Sequence, residues 1–181
     1  MAAVVARYNP VTPQPMIDTL ASEFSNTSPV SMEVLFLRIL GVLVFCGVIG
    51  LEREIRKNTA GIRTNMLIGL AAAIFALVTL QMLEIFGEDT NATRLDPVRL
   101  VEAVTSGVAF LAAGVIVYTR GDVRGLTTGA SMWLSAAIGL TVGIGMWSVA
   151  IVATVTGIIV LWLLRKAERA VGIKDDSGSE P

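Results

Sequence analysis

The sequence predicts an all-α integral membrane protein, a bundle of five transmembrane helices. Two observations carry that prediction. Apolar residues make up 54% of the 181-residue chain against 16% charged, and they fall in long blocks, not in alternation with polar ones, so water would leave them exposed. The basic residues gather at the ends of those blocks, where a bilayer tolerates them. The length fits one domain.

Residues 1–32 differ from the rest. They hold Pro10, Pro13, Pro15 and Pro29, four of the six prolines, and a single basic residue, Arg7. Met1–Ala6 is too short for the apolar core of a signal peptide. A flexible N-terminal tail outside the membrane is expected, with a short amphipathic turn near Met16–Phe24. The transmembrane domain is expected over residues 33–165. A helical span takes about 20 apolar residues, and blocks at 34–51, 64–86 and 98–119 each suit one. The run from Gly129 to Leu164 is too long for a single span. Its middle, Gly143-Ile144-Gly145-Met146-Trp147-Ser148, offers two helix-weakening glycines and an interfacial tryptophan, which divides it into spans at 129–144 and 147–164. Residues 166–181 form a polar C-terminal tail.

Charge orients the bundle. With five spans, one side carries Arg53, Arg56, Lys57, Arg63, Arg120, Arg124, Arg165, Lys166, Arg169 and Lys174, and the other only Arg7, Arg94 and Arg99. The richer side should be cytoplasmic. That places the N-terminus outside and the C-terminus inside, whereas four spans would nearly erase the contrast.

Composition also excludes classes of function. A formal net charge of −1 and no basic stripe with interleaved aromatics argue against nucleic acid. The chain has no histidine, and its one cysteine, Cys46, lies inside an apolar run, which excludes an intrachain disulfide and a His/Cys zinc site. Without histidine no base is at hand to activate a nucleophile, and no glycine-rich phosphate loop follows a strand. No catalytic residue is assigned, an enzyme is not expected, and neither is a cofactor.

Sliding the chain against itself by 64 residues lays Gly50 on Gly114, Arg56 on Arg120, Gly61 on Gly125 and Thr64 on Thr128, then Ala72-Ala73-Ile74 on Ala136-Ala137-Ile138. That is the pattern of two helical hairpins repeated in parallel; chance matching of Ala and Gly in membrane helices is the alternative. Under the repeat, Arg38 and Glu102 are equivalent positions and candidates for an ion pair at membrane depth; Arg38 reaching the headgroups is the alternative. Helices in lipid associate where small side chains allow close approach. The expected packing positions are Gly47 and Gly50 in the first span, Gly107 and Gly114 in the third, and Ser131, Ser135, Gly139 and Gly143, every fourth residue, in the fourth.

Polar groups gather at the expected cytoplasmic face: Glu52, Arg53, Glu54, Arg63, Thr64 and Asn65 on one connection, Asp122, Arg124, Thr127 and Thr128 on the other. Thr64 and Thr128 each start a span, where a hydroxyl can cap exposed amides. Alternatively, Arg63 and Arg124 with Glu52 and Asp122 form a charged network that joins the hairpins or holds a small ion. Magnesium needs only a few oxygen ligands, so Glu52 and Asp122 are weak metal candidates; no metal ligand is assigned.

Four motifs in order, GxxGLERE, AGIRTNMLIGLAAA, TSGVAFLAAGVIV and VRGLTTGASMWLSAAIGLTVG, spanning about Leu35 to Leu164, resemble the MgtC/SapB family of bacterial inner-membrane proteins. The resemblance implies a multi-pass plasma-membrane protein tied to growth under magnesium limitation and, for some members, survival inside host phagocytes. It places Glu52, Arg53, Arg63, Thr64, Asn65, Arg124 and Thr128 at motif positions. Virulence-type members carry a cysteine where this chain has Leu134, and a soluble C-terminal domain, whereas a short form without that domain is expected here. Two functions compete: a non-catalytic modulator that packs on other membrane proteins or on itself, as a homodimer, and a transporter of magnesium or another small solute between the two hairpins. The absence of carboxylates near the middle of any span favours the first.

Overall fold

The computed structural model describes residues 17, 30–86, 96, 98–119 and 122–170. Those residues form five helices, α1 (Met32–Ile55), α2 (Ile62–Phe86), α3 (Val98–Val115), α4 (Leu126–Gly143) and α5 (Trp147–Ala170), and one hairpin of two strands, β1 (Val117–Thr119) and β2 (Asp122–Arg124). Helices α1 to α4 are long and apolar enough to cross a membrane, and α5 adds the apolar stretch Trp147–Leu163. The chain is an all-α membrane protein. The expected N-terminal turn at 16–24, the C-terminal tail beyond 170 and Arg120 lie outside the described residues, apart from Ile17.

Helices α1 and α5 outlast their apolar blocks, where polar residues continue them. Helix α1 runs on through Glu52, Arg53 and Glu54 to Ile55, then stops at Lys57, whose positive φ of 55° breaks the helical path. The amides of Arg56 and Asn58 donate to the Arg53 carbonyl and that of Lys57 to the Glu54 carbonyl, satisfying the last turn. The long run after Gly129 divides where the glycines suggested: α4 ends at Gly143, Gly145 adopts φ +91°, and α5 begins at Trp147.

Helix α4 is the centre. It buries Thr128, Gly129, Ser131, Met132, Ser135, Ala136, Ile138, Gly139, Val142 and Gly143, far more than a lipid-facing helix does. It runs parallel to α2 in a constant register: Ser135 bonds Asn65, Gly139 lies on the backbone of Gly69, and Gly143 sits against Ala73 and Ala76. A methyl at Gly139 would overlap the Gly69 carbonyl, and one at Gly143 would come within 2.9 Å of the Ala73 Cα. Small residues therefore bring these two backbones into contact. Helix α1 crosses α2 in the opposite sense. Gly69 faces Val42 and Cys46, Gly47 faces Met66, and a Cβ on Gly50 would lie 2.6 Å from the Ile62 Cα. Helix α5 covers α1 and α4: Gly41 sits under the Trp147 indole, which meets Phe45 edge to face at 6.3 Å between centroids. Two cores result, one of Val42, Cys46, Ile49, Ala73, Ile138, Val142 and Ala150, the other of Ala60, Ala72, Val104, Val108, Met132 and Ala136.

Three expectations are corrected. The third span ends at Val115, not 119, because Val117, Tyr118 and Thr119 pair as a strand with Arg124, Val123 and Asp122; β-branched and aromatic side chains suit that ladder. Gly125 closes the hairpin with φ +89° beneath the Val115 carbonyl, where no other residue would fit. Among the described residues, Gly107 and Gly114 pack on nothing, since a Cβ on either would meet no atom within 4 Å. Arg38 does not pair with Glu102. Its Nη1 donates to the Gly143 carbonyl at 2.6 Å, at the negative end of the α4 dipole, while Glu102 is exposed on α3.

Candidate functional site

The polar residues of the α1–α2 connection fold inward as a clasp. Arg53 occupies the last turn of α1 on the side facing the bundle and is 2% exposed. A guanidinium so placed must be paired. Its Nη2 donates to Asn58 Oδ1 at 2.9 Å, Asn58 Nδ2 returns a bond to the Arg53 carbonyl at 3.3 Å, and Glu52 lies 3.6 Å from Arg53 Nη1. Glu52 also pairs with Arg56 one turn on. The Glu-Arg-Glu sequence thus divides its charges. Glu52 and Arg53 neutralise each other at the bundle edge, and Glu54 turns to the next helix.

Glu54 Oε2 accepts the amide of Ile62 at 3.1 Å, the first residue of α2. A carboxylate there satisfies a free donor and complements the positive helix terminus. Gly61 is the reason it can reach, because any side chain at Gly61 would overlap the Glu54 carboxylate. The expectation that Thr64 and Thr128 cap their helices is corrected on this ground. Glu54 serves α2, whereas α4 starts behind Gly125 without a side-chain cap and Thr128 is buried in its first turn. The Thr128 carbonyl accepts from Ser131 Oγ at 2.8 Å.

One turn into α2, Asn65 is fully buried. Its Nδ2 donates to the carbonyls of Ala60 at 3.1 Å and Gly61 at 2.8 Å, and its Oδ1 accepts from Ser135 Oγ at 2.8 Å. Cys46 Sγ donates to the Ser135 carbonyl at 3.5 Å. A continuous line of hydrogen bonds therefore joins α1, the loop, α2 and α4 inside an apolar surround, where each bond is strengthened by the low dielectric.

The remaining expected residues do not enter this line. Arg63 is exposed on α2, Thr64 half-buried beside it and Thr127 exposed on α4. Arg124 is exposed at the end of β2. The Asp122 backbone pairs with Thr119, and its side chain lies outside the described residues. Ser135, Gly139 and Gly143 face α2 from α4, Ser131 is buried on the same helix, and Gly47 and Gly50 face α2 from α1. Residues that sequence reasoning passed over are Asn58, which closes on Arg53, and Gly69, on which Gly139 rests. The signal for Gly69 was available, because it stands at the same four-residue interval from Asn65 and Ala73 as Gly139 does from Ser135 and Gly143. Among the described residues, no group of three acidic or thiol side chains comes together to hold a metal ion.

The sequence profile of the MgtC family matches residues 39–170. Among curated relatives, an uncharacterized protein of Haemophilus influenzae is 35% identical over 145 residues, 75% of this chain and 61% of that protein. The "Putative magnesium transporter YhiD" of Escherichia coli K12 is 38% identical over 104 residues, 57% of this chain and 47% of its own length. Protein MgtC of Brucella abortus is 39% identical over 127 residues, 70% of this chain and 50% of its own length. The chain thus spans about half to three-fifths of the length of these relatives. No solved structure matches it.

Proposed function

This chain belongs to the MgtC family, and from that membership we propose that it is a bacterial inner-membrane protein of magnesium homeostasis, acting as a non-catalytic modulator of other membrane complexes during adaptation to low magnesium. The observation that carries this reading is the clasp. Glu52, Arg53, Glu54 and Asn65, the polar residues at the motif's centre, turn to one another, to the loop and to Ser135, which is how side chains hold a scaffold together. The α1–α2 connection faces the cytoplasm in this proposal, by the count of basic residues on each side. A reporter fused after Pro181 tests that orientation, and activity only outside the cytoplasm overturns it.

A transporter is the second reading, and the printed name of the Escherichia coli relative favours it. Purified protein in phosphatidylethanolamine and phosphatidylglycerol vesicles, loaded with a magnesium-sensitive dye, separates the two. The modulator passes no more Mg2+ than protein-free vesicles, while a strain lacking it grows poorly only at low magnesium. Flux that Glu52→Gln and Asp122→Asn abolish would establish the transporter instead.

A further inference from the structure

Helix α3 exposes large apolar residues, Val98, Val101, Phe110 and Leu111, and beside them a stripe of polar and small ones. Its inward side carries the large apolar residues Val104 and Val108, both buried, with Leu100 and Val115 packed beside them. Its outward side, one position every three or four residues, carries Arg99, Glu102, Ser106, Phe110 and Ala113, all exposed. Lipid favours large apolar groups outward and polar or small ones against protein, and Arg99, Glu102, Ser106 and Ala113 depart from that rule. Arg99 and Glu102 have no ion-pair partner among the described residues. Glu102 is the fifth residue of the helix, about 6 Å along its axis from Val98. Gly107 and Gly114 weaken the helix and gain no contact among the described residues, because a Cβ on either would meet no atom within 4 Å there.

We propose that this face of α3 is a docking surface for a second copy of the chain, α3 against α3 about a two-fold axis along the membrane normal. The face is complementary to itself, as a two-fold interface requires. Arg99 and Glu102 are one turn apart with opposite charge, so when two such helices lie parallel each arginine reaches the other copy's glutamate. Phe110, 81% exposed, projects one turn beyond Gly107, and the ring of one copy fills the hollow at the glycine of the other. That hollow opens into a groove of about 470 Å³ between α2 and α3, lined by Ala71, Ala103 and Leu111 among others. Ser106 and Ala113 keep the two backbones close. A partner of unrelated sequence would have to supply both the matching charges and the matching knob. Such a dimer is compatible with a modulator and with a transporter alike.

Cysteine cross-linking of the full chain tests it, in native membranes and in the same vesicles. Cys46 is fully buried and stays in place. Ser106→Cys or Ala113→Cys is expected to give, on oxidation, a dimer of twice the 19.2 kDa chain, while Leu40→Cys on α1 and Val152→Cys on α5, at lipid-exposed positions, give none. Glu102→Arg should lower the cross-linked fraction about tenfold, and adding Arg99→Glu should restore it, with monomer melting unchanged as the control for folding. Equal cross-linking at the control positions, no dimer from either α3 cysteine, capture of a different protein instead of a second copy, or failure of the charge swap to restore it would each overturn the proposal.

Discussion

Asn65 and Ser135 meet at 2.8 Å in the apolar interior, with Ser135 donating to the amide oxygen whose nitrogen closes the α1–α2 loop. One side chain therefore sets both the shape of the loop and the register of α2 on α4. Asn65→Ala should cost about 1–3 kcal/mol, the penalty of leaving buried polar groups unsatisfied. Ser135→Ala should cost about 1 kcal/mol. Thermal unfolding in detergent reads both, and the double variant should fall short of additivity by about 0.5 kcal/mol or more. Strict additivity would show that the bond is not a coupling element.

The glycines of the bundle divide into two groups, and substitution should reveal the division. Gly139→Ala forces its methyl into the Gly69 backbone, so the helices must separate, and little folded protein is expected in size-exclusion profiles. Gly114→Ala meets nothing and should leave the monomer as stable as before, or steadier by up to ~1 kcal/mol from the better helix former. Equal damage from the two would contradict the packing described.

Glu54 is expected to act as a cap, not as a charge. Glu54→Ala should lower stability by about 0.5–2 kcal/mol, the range for loss of a helix cap. Glu54→Gln, which keeps an acceptor oxygen, should recover at least half of that. Amide exchange at Ile62 offers a direct reading, because its protection should fall in the alanine variant and return with glutamine.

Arg38 and Glu102 should prove independent in the monomer. Arg38→Met removes a charged donor from the Gly143 carbonyl and should destabilise by about 1.5–3 kcal/mol, whereas Glu102→Gln should leave the melting of the monomer unchanged. Reversing both charges together is expected to rescue nothing. Rescue would restore the ion pair that the structure replaces.

Much of this architecture was legible in the residues. The apolar blocks, the break at Gly143–Ser148 and the four-residue spacing of Ser131, Ser135, Gly139 and Gly143 all report local periodicity, which sequence carries directly. The misreadings share a cause. Gly107 and Gly114 read as packing positions because a glycine in a membrane helix looks the same whether or not a neighbour fills it. An offset in the chain matches Arg38 to Glu102, although its acceptor is a backbone carbonyl, a group every residue has and no sequence pattern marks. Glu54 looked like one more charge in a charged turn because its acceptor role depends on Gly61 leaving room. The strands at Val117–Thr119 and Asp122–Arg124 are three residues each, too short to set up an alternation that stands out beside an apolar span.

The sequence separation of seventy from Asn65 to Ser135 has a consequence for how the protein is made. Translation delivers the first hairpin to the bilayer well before α4 exists, so the buried amide of Asn65 must wait without its hydroxyl, and Gly69 without the backbone that will lie on it. Lipid cannot substitute for either. Insertion of the helices and completion of the bundle are therefore separate events, and arrival of the fourth helix is the moment at which the earlier ones lock.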